Sequence, residues 1–392
     1  MKSISGKIVN HDCVINGTVE FSQRIESVSK DDNLKTKNII LPGFVDLHCH
    51  GGKGFDTMAG LSSIKKMSEY HLACGTTSLL PTTLTATLDN TIQALQGLNS
   101  FIGQNKNLTN ILGAHLEGPF INPNKLGAQP PHTQLPNINF IKKIQNIAKI
   151  RVITLAPELE GAATLIDYLI NNNINVQIGH SLADYNCCKK LMDKNNIGFT
   201  HLFNAMTGCN HRHPGIATAA LNHAEFSEII CDLLHVDPAN IHLAHKSIPC
   251  LYAITDAISA CGMPDGTYDF ANEKIEKKHG QAIINNNILA GSVVTMLDTF
   301  KNLIKINFSL QQAVAMTSYH AAQYLKENDI MYEYGITTQH PNRSYIYDWS
   351  QLSQCDVIIS SAGTFALSAG ILGKENKKII HSKEWVEYAA NK

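Results

Sequence analysis

Short apolar runs of strand character alternate with segments of helical periodicity through the middle of the chain. The runs are IILPGFVDLHCH, GTTSLLPTT, NILGAHLEGPF, RVITLAPE, INVQIGHS, GFTHLFNAM, EIICDLLHVD and LYAITDAIS. Between them, segments such as SSIKKMSEYHLAC, TIQALQGLNSFI, ATLIDYLINNN and CCKKLMDK repeat apolar residues at the spacing of one helix face. Eight alternations of this kind predict an α/β protein, a (β/α)8 TIM-like barrel. A doubly wound open sheet competes with it, but no Gly-rich dinucleotide turn follows the first run. The two ends read differently. KIVNHDCVINGTVEF near the start, and RSYIYDW and CDVIISSAG in the tail, are short and strand-like. They predict a small β-sandwich domain made by both ends, 1–41 with 340–392, beside a barrel over 42–339.

Polar residues fall at the C-terminal ends of the apolar runs: His48, His50, Glu117, His180, His201, His235 and Asp256. In a barrel those ends open on one face, where loops build the active site. In FVDLHCHGG, strand alternation would put Asp46, His48 and His50 on one surface. The same alternation turns His115 and Glu117 inward, His115 as a hydrogen-bonding partner in the core. Imidazole and carboxylate are the donors that zinc and iron(II) prefer, and Glu117, His180 and His201 form such a set. A cation there acidifies water and polarises a carbonyl, and Asp256 can carry the proton to a leaving nitrogen, which completes an amide hydrolysis. A lone histidine ending a strand is more often a hydrogen-bonded structural residue than a ligand. Five polar endings on one face (HCH, HLEG, GHS, THLFNAM, TDA) shift that balance.

Composition narrows the classes further. The chain has 392 residues, 44% hydrophobic and 17% charged, as a folded protein with one large and one small domain would. Lys+Arg 32 against Asp+Glu 33 leaves no positive field, so nucleic acid and anionic membranes are not expected partners. Ten cysteines without a C-x-x-C, and an opening MKSISGKIVN that lacks an export signal, predict a reduced cytoplasmic protein.

Several phrases occur in an order that resembles the N-acetylglucosamine-6-phosphate deacetylases of the amidohydrolase superfamily. They are PGFVDLHCHGGKGFDTM, GTTSLLPTTLT, HLEGPFIN, APE, GHS, THLFNAM, HPG, TDAISACGMPDGTY and LAGS, from about residue 40 to 300. The resemblance implies a metal-dependent barrel with an appended β-domain, usually a homodimer, that removes acetate from a phosphorylated amino sugar. It implies Glu117, His180 and His201 as ligands of the main divalent ion, zinc first with iron, manganese or cobalt as alternatives, and Asp256 as general base and acid. His48 and His50 match positions that hold a second ion in some members, so one or two ions are expected. Ala128, Gln129, Asn204, Ala205, Arg212, His235, Leu289, Ala290 and Gly291 match substrate-contacting positions. A planar guanidinium such as Arg212 grips phosphate with paired charge-assisted hydrogen bonds.

Four departures stand out. Gln129 replaces the usual histidine of Gly-Ala-His, Leu233 replaces a glycine, SYHA at Ser318–Ala321 replaces an NPA helix start, and the tail lacks the usual closing pattern. They leave room for a deacetylase of another N-acylated amino sugar or its phosphate, or for a non-catalytic sugar-phosphate-binding relative. Dihydroorotases and ureases carry a carboxylated lysine where this chain has the glutamate of HLEGPF.

Overall fold

The computed structural model describes residues 2–22, 25–102, 109–271, 273–284 and 288–326, with the backbone of 357–360, 369–372 and 377–380. Each apolar run becomes a strand: Phe44–Cys49, Thr76–Thr83, Ala114–Glu117, Ile150–Leu155, Asn175–Ile178, Ile197–Phe199, Phe226–Ile230 and Cys250–Ile254. The first six pair in parallel in sequence order, and the last two form a second parallel pair. Backbone hydrogen bonds bridge both seams. Leu202 N donates to Glu228 O, Asp256 N to His48 O and His50 N to Ala257 O, each at 2.9 Å. The strands therefore curl into a TIM-like arrangement whose C-terminal ends gather on one side.

Val45, Leu47, Leu80, Val152, Ile230, Tyr252 and Ile254 pack together with Ala321, Ala322, Tyr324 and Leu325. Asn175, the first residue of the fifth strand, donates to Tyr324 O at 2.7 Å, which places the helix His320–Leu325 at the opposite end from the polar residues. Outer helices follow the sequence periodicity: Leu61–Ala73 buries Ile64, Met67, His71 and Leu72, and Ala162–Asn171 buries Leu165, Ile166 and Leu169. Between the eighth strand and helix Met296–Lys305 lies a four-stranded antiparallel sheet, Gly266–Phe270, Glu273–Lys278, Gln281–Ile284 and Ile288–Leu289. Its Phe270, Ile275, Ala282 and Ile284 pack on Leu84, Ile258 and Ala290, so it stands over the strand ends.

The two ends of the chain do pair. Val357–Ser360 runs parallel to Ile39–Pro42 in a five-stranded sheet with Lys2–Val9, Val14–Phe21 and Ile25–Lys30. Ala369–Leu372 and Lys377–Ile380 form a separate antiparallel pair, and RSYIYDW lies outside the described residues.

One expectation is corrected here. Asp46 does not share a face with His48 and His50. The ladder register shifts between Asp46 and Cys49, so strand alternation breaks before the histidines. Asp46 instead accepts from Thr255 N (3.2 Å), Thr255 Oγ1 (2.6 Å) and His48 N (3.3 Å). Burial pushes its carboxyl up to about 6 against the pull of those hydrogen bonds. Asp46 ties the first strand to the eighth just below Asp256.

Candidate metal centre and active site

The strand ends that carry the chemistry have unusual backbones. His180 (φ 48°), His201 (28°), Ala205 (49°), Leu233 (65°) and Asp256 (49°) all occupy the left-handed region. Each costs on the order of 1 kcal/mol for a residue with a Cβ. Neighbouring groups offset the strain: His180 Nδ1 donates to Lys125 O (2.8 Å), and Asp256 N to His48 O (2.9 Å). The left-handed turn at the end of a strand swings the side chain into the mouth instead of along the strand. Gly291 (φ 70°) is required nearby, because a Cβ there would sit 2.9 Å from Asp256 O. Its absence lets Ser292 N donate to that oxygen at 2.8 Å and hold the turn.

Six side chains converge. Glu117 Oε1 lies 3.1 Å from His180 Nε2 and 3.0 Å from His201 Nε2, and those two nitrogens are 3.1 Å apart. Beside them, His48 Nε2 and His50 Nε2 are 3.2 Å apart. Asp256 Oδ1 is 3.2 Å from His50 Nε2 and 3.5 Å from His48 Nε2, and Glu117 Oε2 is 3.1 Å from His50 Nε2. All six are buried.

The donor set fits a cation. His180 Nδ1 faces Lys125 O, His50 Nδ1 faces Thr82 O (3.2 Å), and His48 Nδ1 faces Glu228 Oε2 (3.0 Å). Those partners only accept, so the Nδ1 atoms carry the hydrogens and a neutral ring leaves its Nε2 lone pair bare. Bare lone pairs about 3 Å apart repel unless protons or a metal ion lie among them. Protons can do so in part. Burial lowers the His48 imidazole, but the carboxylates of Glu117, Glu228 and Asp256 outweigh it and raise it well above its usual value. His50 is pushed up to about 9 by Asp256 and Glu117 against the same burial. Burial would raise Glu117 and Asp256, yet the imidazoles hold Glu117 well below the usual carboxylate range and Asp256 at about 2.

A cavity of about 400 Å³ opens above these groups. His50, Glu117, His180, His201 and Asp256 line it, together with the predicted Ala128, Gln129, Asn204, Ala205, His235, Leu289 and Gly291. Ala290 is buried beneath that wall, with its N donating to Ala282 O (2.9 Å). Arg212 is not brought in: it is exposed on the 208–213 loop, and the cavity lining does not include it. His115 behaves as a core partner, Nδ1 donating to Leu47 O (2.9 Å) and Nε2 accepting from Thr154 Oγ1 (2.8 Å). Gln129 holds two groups, accepting from Thr85 N (2.7 Å) and donating Nε2 to Glu117 Oε2. His235 Nδ1 donates to Asp232 Oδ2 (2.6 Å); burial alone would lower this imidazole, but Asp232 raises it.

Sequence reasoning missed Lys125, which lines the cavity, and Glu228, which touches His48. Glu228 left one signal, an acid at an inward-facing position inside the apolar run FSEIIC.

Residues 39–329 match the amidohydrolase family. The chain belongs to that family. Among its relatives, the N-acetylglucosamine-6-phosphate deacetylase of Vibrio furnissii is 34% identical over 82% of this chain and 84% of its own length. The N-acetylgalactosamine-6-phosphate deacetylase of Escherichia coli is 32% identical over 78% and 83%. The crystal structure of the N-acetylglucosamine-6-phosphate deacetylase of Thermotoga maritima superposes with a TM-score of 0.77 at 29% identity, covering 84% of this chain and 91% of that one. Amidohydrolases are generally metal-dependent, in keeping with the two donor groups at this amidohydrolase's strand ends.

Proposed function

We propose that the chain hydrolyses N-acetylglucosamine 6-phosphate to glucosamine 6-phosphate and acetate. The observation that carries this reading is Asp256 standing within 3.5 Å of both His48 and His50, beside Glu117, His180 and His201, on the floor of one cavity. Glu117, His180 and His201 would hold the main divalent ion, with His48, His50 and Asp256 forming a second donor group. Zinc suits imidazole and carboxylate best, with iron, manganese or cobalt as alternatives. The ion supplies polarisation of the amide carbonyl and acidifies water.

The protein's own groups do the rest. Asp256 takes the proton of the attacking water and delivers it to the sugar nitrogen as the C–N bond breaks. Asn204, Ala205 and Leu289 shape the wall that orients the sugar. His235 and Lys125 bring cationic character to the cavity, where a phosphate would be held.

The barrel over 42–339, the small domain from 1–41 with 340–392, a cytoplasmic setting and a homodimer belong to the same proposal. The pairing of Val357–Ser360 with Ile39–Pro42 supports the small domain. Among the described residues no helix is long and apolar enough to cross a membrane.

The test supplies purified protein, loaded in turn with zinc, iron, manganese and cobalt, with the sugar phosphate and assays free amine. No turnover with any of the four sinks the reading. Gln129 and the similarity to an N-acetylgalactosamine-6-phosphate deacetylase favour a second substrate, the galactose epimer. The ratio of kcat/KM on the two epimers decides between them.

A further inference from the structure

Glu228 is fully buried in the barrel, and the hydrolysis described above does not use it. Its two oxygens face different neighbours. Oε2 accepts from His48 Nδ1 (3.0 Å) and lies 3.3 Å from the backbone N of His201, while Oε1 accepts from Gln177 Nε2 (2.9 Å). Together with His48 and His115 it forms a group that could in principle hold an ion itself. His115 rules that out, because both of its ring nitrogens are already engaged, by Leu47 O and Thr154 Oγ1.

The contrast among the four histidines assigns Glu228 its role. His180 and His50 rest their Nδ1 atoms on backbone carbonyls, and His201 Nδ1 has no partner among the described residues. His48 alone has its Nδ1 against a carboxylate. A carboxylate behind an imidazole fixes its tautomer and ring orientation and makes the far nitrogen a stronger donor.

We propose that Glu228 is a positioning residue that locks His48 with Nε2 aimed at His50 and Asp256, and so builds the second cation position beside Glu117. The inference rests on the reading that these side chains hold divalent ions. It places the difference between one ion and two in a residue that touches neither substrate nor ion.

The test titrates metal-free protein with cobalt(II), following stoichiometry by elemental analysis and coordination by visible absorption. Wild-type protein takes up two ions per chain. Glu228→Gln, which keeps the shape and one acceptor oxygen for His48 Nδ1 but removes the charge and turns an NH2 toward Gln177 Nε2, weakens the second ion about 10- to 100-fold and leaves the first unchanged. Glu228→Asp recovers part of that loss. In His48→Asn the second ion is lost as well, and adding Glu228→Gln to it brings no further loss. Thermal unfolding of the metal-free forms checks that each variant is folded.

Unaltered binding of both ions in Glu228→Gln overturns the inference while sparing the metal reading. Equal weakening of both ions, or additive losses in the double variant, overturns it too, since either describes a general support of the core. Wild-type protein that takes up no cobalt overturns the metal reading with it.

Discussion

The floor of the cavity and the loop that carries Arg212 are organised in opposite ways. On the floor, the reactive side chains are buried and four of the six are held by a second group: His180 by Lys125 O, His50 by Thr82 O, His48 by Glu228, and Glu117 by Gln129. Residues 208–213 are exposed, and Asn210 Oδ1 organises their turn by accepting from Arg212 N (2.9 Å) and His213 N (3.0 Å). The chemistry is thus pre-organised within one chain, whereas residues 208–213 stand exposed and outside the cavity lining. Fixing the reacting atoms in advance is where rate is gained, and a loop can vary without disturbing it.

The largest expected effect tests the floor. Asp256→Asn keeps the shape and removes the proton carrier, so turnover on N-acetylglucosamine 6-phosphate should fall about 10²–10⁴-fold. The ion at Glu117, His180 and His201 should remain by elemental analysis. Activity close to wild type would move the general base elsewhere and remove the main reason for treating the floor as the reactive region.

The same floor should respond to pH with a definite sign. His50 has a value raised from 6.5 to about 9, so its proton stabilises the metal-free fold fully below 6.5, and that stabilisation is lost as pH rises through 9. The proton also competes with a cation, so apparent metal affinity should weaken about tenfold for each pH unit below that value. Thermal unfolding of chelator-treated protein should therefore show a midpoint that falls between pH 6.5 and 9. The increase caused by added zinc should grow over the same interval. A zinc-induced increase that shrinks with pH would mean these imidazoles are not the ligands.

The loop should give a smaller and more selective effect. Loss of a charge-assisted contact to phosphate costs about 1.5–3 kcal/mol, or roughly 10- to 100-fold in KM. Arg212→Ala should raise KM for the sugar phosphate on that scale and leave unphosphorylated N-acetylglucosamine unaffected. An unchanged KM would leave the phosphate to His235 and Lys125.

How much of this was legible before the structure follows the same division. Glu117, His180, His201 and Asp256 end apolar runs, and their place at the C-terminal ends of barrel strands was enough to bring them together. Asp46 was misread because a register shift resets the alternation, and nothing local in FVDLHCH marks it. Glu228 stayed hidden because its partners, His48, Gln177 and the His201 amide, lie on three other strands or their ends. The sheet from Gly266 to Leu289 was invisible for another reason. In EKIEKKHGQAII charged residues alternate with few apolar ones, as in a solvated hairpin, and only Ile275, Ala282 and Ile284 betray a buried face.

Gln129 lies on the boundary between the two regions, and its replacement should have the mildest effect while separating two accounts of its role. Family likeness puts a substrate-gripping histidine there, whereas the structure shows the amide spanning Thr85 N and Glu117 Oε2. Gln129→Ala leaves a buried backbone N–H without its acceptor, at about 1–3 kcal/mol of stability, and frees the carboxylate of Glu117 to turn. If the amide serves the floor, cobalt should bind several-fold more weakly at the first position, with KM for the sugar phosphate little changed. If it serves the substrate, KM should rise and cobalt binding should not move. Gln129→His refines the distinction, because a neutral imidazole can also accept on one nitrogen and donate on the other. Recovery of metal affinity in that variant, without a change in the preference between epimers, would place Gln129 with the groups that hold the ligands.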